Sequence, residues 1–187
     1  VIVILLGVLL LKPRFQDGIL SKPKKDTKFL IFSFLGCLGA VNAAGLVFML
    51  YYQLIHLLGG SFSSPQISLL SGDPLAMIFL LLYLCILGPV LEEIIFRGLI
   101  LKSLEPFGQM SAIIASSLFF AMFHMNLVQL PTPFFMGLIL GFVTIRTGSV
   151  FPAVVFHILN NTLRGALPLL MGGNTPLLNL MITMFTL

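Results

Sequence analysis

Glu92 and Glu93 stand side by side in the run IFLLLYLCILGPVLEEIIFRGLILKSL, in a chain with only six Asp and Glu among 187 residues. An ionised carboxylate in so apolar a stretch is expensive, so it is retained for chemistry or for a buried partner. Glu93 and Arg97 lie four residues apart, share one helix face and can pair. Glu92 is rotated from Glu93 by about 100° and faces elsewhere. A structural ion pair therefore explains Glu93 and leaves Glu92 without a partner. Two further polar sets interrupt the apolar spans. His124 closes the run Phe120-Ala121-Met122-Phe123-His124. A lone His near a helix end is more often a satisfied interfacial residue than a catalytic one. His157 and Asn161 are four apart on one face and can act on one substrate atom, although interhelical hydrogen bonding is the plainer use of such a pair. His56, close to Gly59 and Gly60 near the end of its span, reads as interfacial.

A glutamate, two histidines and an asparagine are the parts of a hydrolase. Glu92 can serve as general base on a water, because burial raises a carboxyl pKa toward a useful range. One His can position or polarise that water. His157 with Asn161 can donate to the oxyanion of a tetrahedral intermediate. No Ser, Cys or Thr is placed as an obvious nucleophile. The same groups offer a competing chemistry, since Glu92, His124 and His157 would make a catalytic zinc set with water at the open position. Against it, HExxH is absent and three separate helices would have to supply the ligands. The first reading expects no cofactor, the second expects zinc, and the residues leave both open.

These groups need helices to carry them. Hydrophobic residues make up 58% of the chain, charged residues 9%, and mean hydropathy is +1.12, which places it in the membrane class. A helical span needs about 20 apolar residues. The expected architecture is all-α, a polytopic transmembrane helical bundle of six or seven spans with no room for a soluble partner domain. Residues 1–73 are expected to supply N-terminal helices and a basic loop, and 74–187 the core that carries the chemistry. The chain opens on Val1 and closes inside LLNLMITMFTL, so both ends read as cut and the outer helices as incomplete. The opening run VIVILLGVLLL has the length of a signal-peptide core, but without a basic start or a small-residue cleavage site it reads as a truncated span.

The spans expected after it are roughly 28–58, 74–104 (interrupted at Gly88-Pro89), 109–124, 134–145 and one from about 150. Gly137 and Gly141 fall at the spacing that lets helices approach closely. By about 1.5 Å of rise per residue, Glu92, His124 and His157 reach compatible depths. Cys37 and Cys85, both inside apolar helices, read as small core residues rather than a disulfide.

A net charge of +4 does not point to nucleic acid, because its location is local. Lys12, Arg14, Lys22, Lys24, Lys25 and Lys28 crowd one loop against Asp17 and Asp26. The positive-inside rule puts that loop, 12–28, on the cytoplasmic or equivalent side, where it can meet anionic headgroups.

In order along successive apolar helices, EExxxR (Glu92, Glu93, Arg97), FxxxH (Phe120, His124) and HxxxN (His157, Asn161) resemble the CAAX-protease and bacteriocin-processing (CPBP, or Abi) family of intramembrane proteases. The resemblance covers about residues 74–165 and includes the context GPVLEEIIFRG. It implies a glutamate-dependent endopeptidase acting in the lipid bilayer on a membrane-anchored protein or peptide, prenylated or bacteriocin-like. Glu92 would be the base, His124 would assist at the water, and His157 and Asn161 would form the oxyanion site. Glu93 and Arg97 would be supporting residues. It also implies catalysis without a metal, as in the eukaryotic prenyl-protein members. The alternatives are a non-proteolytic membrane adaptor or immunity protein, and a proton-coupled carrier using Glu92 and His124 as a relay.

Overall fold

The computed structural model describes residues 21–24, 26–60, 74–125 and 130–166. All regular structure among them is helical. Helix α1 spans Thr27–Leu57 and is capped by Asp26, whose side chain accepts from the Phe29 N–H at 2.8 Å. Helix α2 is a continuous helical rod over 74–107 that changes pitch along its length. An α-helix over Pro74–Leu82 gives way to a π-turn at Tyr83–Leu87, then α at Gly88–Glu93 and π again at Ile94–Leu101. The proline at 89 neither breaks α2 nor splits it: it follows the wider π-turn and stands in the first turn of the next α stretch. At Gly108, with φ 122°, the chain turns directly into α3, Gln109–Phe123.

Helix α4 spans Pro131–Thr147 and starts earlier than expected, because Pro131 occupies the first turn, where its missing N–H costs nothing. It stops at Gly148, which adopts the left-handed conformation favoured after a helix. Helix α5 spans Phe151–Asn161 and continues as a π-turn over Thr162–Ala166.

Helix α4 is central, packing on α1, α3 and α5. The core joins Cys37 and Val41 of α1, Phe96 of α2, Phe120 of α3, Met136, Leu140 and Val143 of α4, and Ala153 and Phe156 of α5. Gly137 and Gly141 set the α3–α4 distance. A methyl group at Gly137 would stand 2.9 Å from Cβ of Ser117, and one at Gly141 3.3 Å from Cγ2 of Ile113. Buried hydroxyls are satisfied on their own helices, Ser117 donating to the Ile113 carbonyl at 2.6 Å and Thr144 to that of Leu140 at 2.8 Å.

The polarity of the bundle is inverted. Ile31, Phe32, Leu50, Phe79 and Leu87 are exposed, while Glu93, Arg97, His157 and Asn160 are buried. Such an outside is stable against lipid, not water. Two helices, Thr27–Leu57 and Leu75–Phe107, are long and apolar enough to cross a membrane; Gln109–Phe123 and Pro131–Thr147 are apolar but shorter. Of the six or seven spans expected, two helices of full length are found among the described residues. The runs expected to form the first and last spans lie outside those residues. Residues 21–24 of the basic loop meet one end of the bundle, where the Lys24 N–H donates to the Thr147 carbonyl at 3.0 Å and Ser21 Oγ donates to the Gly148 carbonyl.

Replacing Gly137 with Val is expected to lower the unfolding free energy by about 1–3 kcal/mol through overpacking against Ser117. Gly36→Ala, where nothing lies within 4 Å of the added methyl, should leave it unchanged. Thermal unfolding of both variants in detergent checks this.

Candidate active site

Glu93 is fully buried, and each of its oxygens meets a different partner. Oε2 lies 3.1 Å from Arg97 Nε one turn along α2, and Oε1 lies 2.8 Å from His157 Nδ1 on α5. An unpaired buried carboxylate would be costly, and this one is neutralised on its own helix before it meets a second. Arg97 is also fully buried; its two Nη groups have no hydrogen-bond partner among the described residues. The guanidinium carbon instead sits over the Phe120 ring, 4.4 Å from its centroid, where the π face offers electrostatic compensation.

Phe120 is the hub of the arrangement. Its ring meets those of His124 and His157 edge to face, with centroids 5.1 and 5.7 Å away. Its carbonyl also lies 2.9 Å from His124 Nδ1. A carbonyl can only accept, so Nδ1 of His124 carries the hydrogen and Nε2 keeps its lone pair. The aromatic in FxxxH therefore fixes the histidine twice, through its ring and through its backbone.

Glu92 diverges from Glu93 as helical geometry requires. Its side chain is 22% exposed, and Oε2 lies 3.7 Å from His157 Nε2, an ion-pair distance rather than a hydrogen bond. The expectation that Glu92 lacks a partner needs correction: His157 stands between the two carboxylates, held by Glu93 at one nitrogen and facing Glu92 with the other. Glu93, read from the sequence as answering to Arg97, orients His157 as well.

Asn161 donates from Nδ2 to the Leu84 carbonyl at 3.0 Å, and its Oδ1 accepts from Asn160 Nδ2 at 3.3 Å. One of its two N–H groups is thus committed to α2. A cavity of about 230 Å³ brings Glu92, His124, His157 and Asn161 together, with Asn160 beside them and Pro89, Pro133 and Met136 among its apolar wall. All four residues that the sequence assigned to chemistry line this one space, and Glu93 and Arg97 stand behind it. The sequence reading missed Asn160 and the Leu84 carbonyl. The adjacent asparagines at 160 and 161 were the available signal for the first, and a proline inside an apolar helix for the second.

Among the described residues no three His, Cys, Asp or Glu groups converge closely enough to hold a metal ion. Nδ1 of each histidine is held, by Glu93 or by the Phe120 carbonyl, which leaves both Nε2 atoms as the nitrogens available to water, substrate or metal.

The different burial of the two glutamates gives a test. Glu93→Gln strands the Arg97 charge and is expected to destabilise the fold by about 3–5 kcal/mol. Glu92→Gln should change unfolding by less than about 1 kcal/mol, since its nearest charge is distant and the group is partly open. Denaturant titration of the two variants compares them directly.

Residues 74–163 match the family model described as type II CAAX prenyl endopeptidase Rce1-like. No curated protein matches the chain, nor does any solved structure.

Proposed function

We propose that this chain, which carries a domain of the type II CAAX prenyl endopeptidase Rce1-like family, hydrolyses a peptide bond of a membrane-associated substrate with a glutamate-activated water. The family is one of membrane-embedded CAAX-type proteases, and the motif order that resembles such proteases in the sequence falls within the matched segment. The observation that carries the glutamate reading is the asymmetry of the pair: Glu93 has spent both oxygens on Arg97 and His157, while Glu92 opens onto the cavity.

In this reading Glu92 removes a proton from a water in the cavity, and the Nε2 lone pair of His124 accepts a hydrogen bond from the O–H that the water keeps, which aims it. The water oxygen attacks the carbonyl carbon of the substrate, whose oxygen becomes an oxyanion. His157, with Nδ1 held by Glu93, faces the cavity with Nε2, which donates when the ring bears both hydrogens. That Nε2–H and the uncommitted N–H of Asn161 are the donors toward the oxyanion. The proton on Glu92 then passes to the departing amine, leaving one new carboxylate and one new amino terminus. The apolar wall excludes bulk water and strengthens each of these contacts. No step passes through a metal.

Purified chain and a membrane-anchored peptide test the proposal. Glu92→Gln is expected to lower cleavage by at least ~100-fold, the scale of a lost general base, while the protein stays folded. A chelator should leave wild-type cleavage intact. Unchanged cleavage in Glu92→Gln would remove it as the base, and loss on chelation that zinc restores would replace the mechanism with a metal one.

A further inference from the structure

Pro89 precedes Glu92 by three residues and has no backbone N–H to give. In the π-turn before it, the Gly88 N–H is spent on the Tyr83 carbonyl. The next donor in that ladder would be residue 89, so the proline takes from the Leu84 carbonyl the N–H that the π pitch would give it. A backbone acceptor in an apolar helix must find a donor elsewhere. Asn161 Nδ2 on α5 supplies it at 3.0 Å.

The consequences run outward from that bond. A carbonyl only accepts, so the Asn161 amide is fixed with nitrogen toward Leu84 and Oδ1 turned away. On that side Oδ1 accepts from Asn160 Nδ2 at 3.3 Å, which fixes the second amide too. Asn160 is 2% exposed and lines the cavity, and its own Oδ1 has no partner among the described residues. A buried acceptor left unmet lowers stability, so an aliphatic side chain of similar size would serve the fold better. What Asn160 does provide is a donor to Asn161.

We propose that Pro89, the Leu84 carbonyl and Asn160 form a positioning relay that clamps the Asn161 amide and presents its remaining N–H to the oxyanion. The inference rests on the hydrolase reading above. Pro89 and Asn160 are positioning residues that act only through Asn161. An unclamped amide could turn by half a rotation and offer Oδ1, an acceptor, to developing negative charge. The relay removes that orientation. Proline at 89 thus sets the polarity of a side chain on another helix by withholding one hydrogen.

Two measurements on the full chain in detergent test the relay. Pro89→Ala restores an N–H at residue 89, and Asn160→Leu removes the second clamp. Each is expected to lower kcat roughly 10- to 100-fold with KM changed by less than about twofold, the scale of a misplaced group. In an Asn161→Ala background neither should have any further effect, because the relay has lost the residue it acts through. Equal losses in both backgrounds, or unchanged kcat in the wild-type background, overturn the proposal. The second measurement records side-chain amide resonances with nitrogen-15 asparagine, Asn161 being assigned by its loss in Asn161→Ala. Both variants should shift the Asn161 pair and speed its hydrogen exchange; an unmoved pair overturns the relay. This readout does not need cleavage, so a responsive Asn161 in a chain that cuts nothing counts against the hydrolase reading and leaves the clamp standing. Should Pro89→Ala fail to fold, Asn160→Leu carries both measurements.

Discussion

A single buried carboxylate ties the bundle together. Glu93 takes one partner from its own helix, Arg97, and one from α5, His157, so α2 and α5 are registered by a buried polar contact as well as by shape. Arg97 in turn rests on Phe120 of α3, which brings a third helix to the same point. A site on three helices would ordinarily be held by many weak contacts. Here a short chain of strong ones does it, in surroundings where each is poorly screened and any unpaired member would be costly.

The division of labour between the glutamates follows from that arrangement. Glu93 is neutralised, fully buried and inaccessible, which suits it to orient His157. Glu92, one residue earlier on the helix, is turned to the cavity with no cation at hydrogen-bonding distance. Helical pitch alone converts two identical neighbours into two chemical environments. The π-turns of α2 bear on the same point, since they let a proline stand within the helix just before the pair while leaving a carbonyl for Asn161 to hold. Close approach of α3 to α4 at Gly137 sets Ser117 directly against α4.

How far these features were legible in the sequence varies by residue. The i to i+4 spacing of Glu93 and Arg97 forecasts their pairing, because helix geometry is local. The grouping of Glu92, His124 and His157 was legible from depth, since rise per residue places side chains along the membrane normal, and Asn161 from its spacing of four from His157. The contact between Glu93 and His157 was not, because it depends on how α5 rotates against α2. Nor was the commitment of Asn161 to Leu84, which depends on a switch to π pitch that no periodicity signals. The count of spans is a separate matter: among the described residues two helices are long and apolar enough to cross a membrane, and α3 and α4 are apolar but shorter.

Oxygen transfer in one turnover tests the central claim, that Glu92 directs water at the substrate rather than attacking it. With enzyme in excess over a membrane-anchored peptide in oxygen-18 water, mass spectrometry of the product and of the protein reads where the label goes. The account predicts one labelled oxygen in the new carboxylate and none in Glu92. Unlabelled product with label in Glu92 would contradict it, because that oxygen would have come from the carboxylate itself.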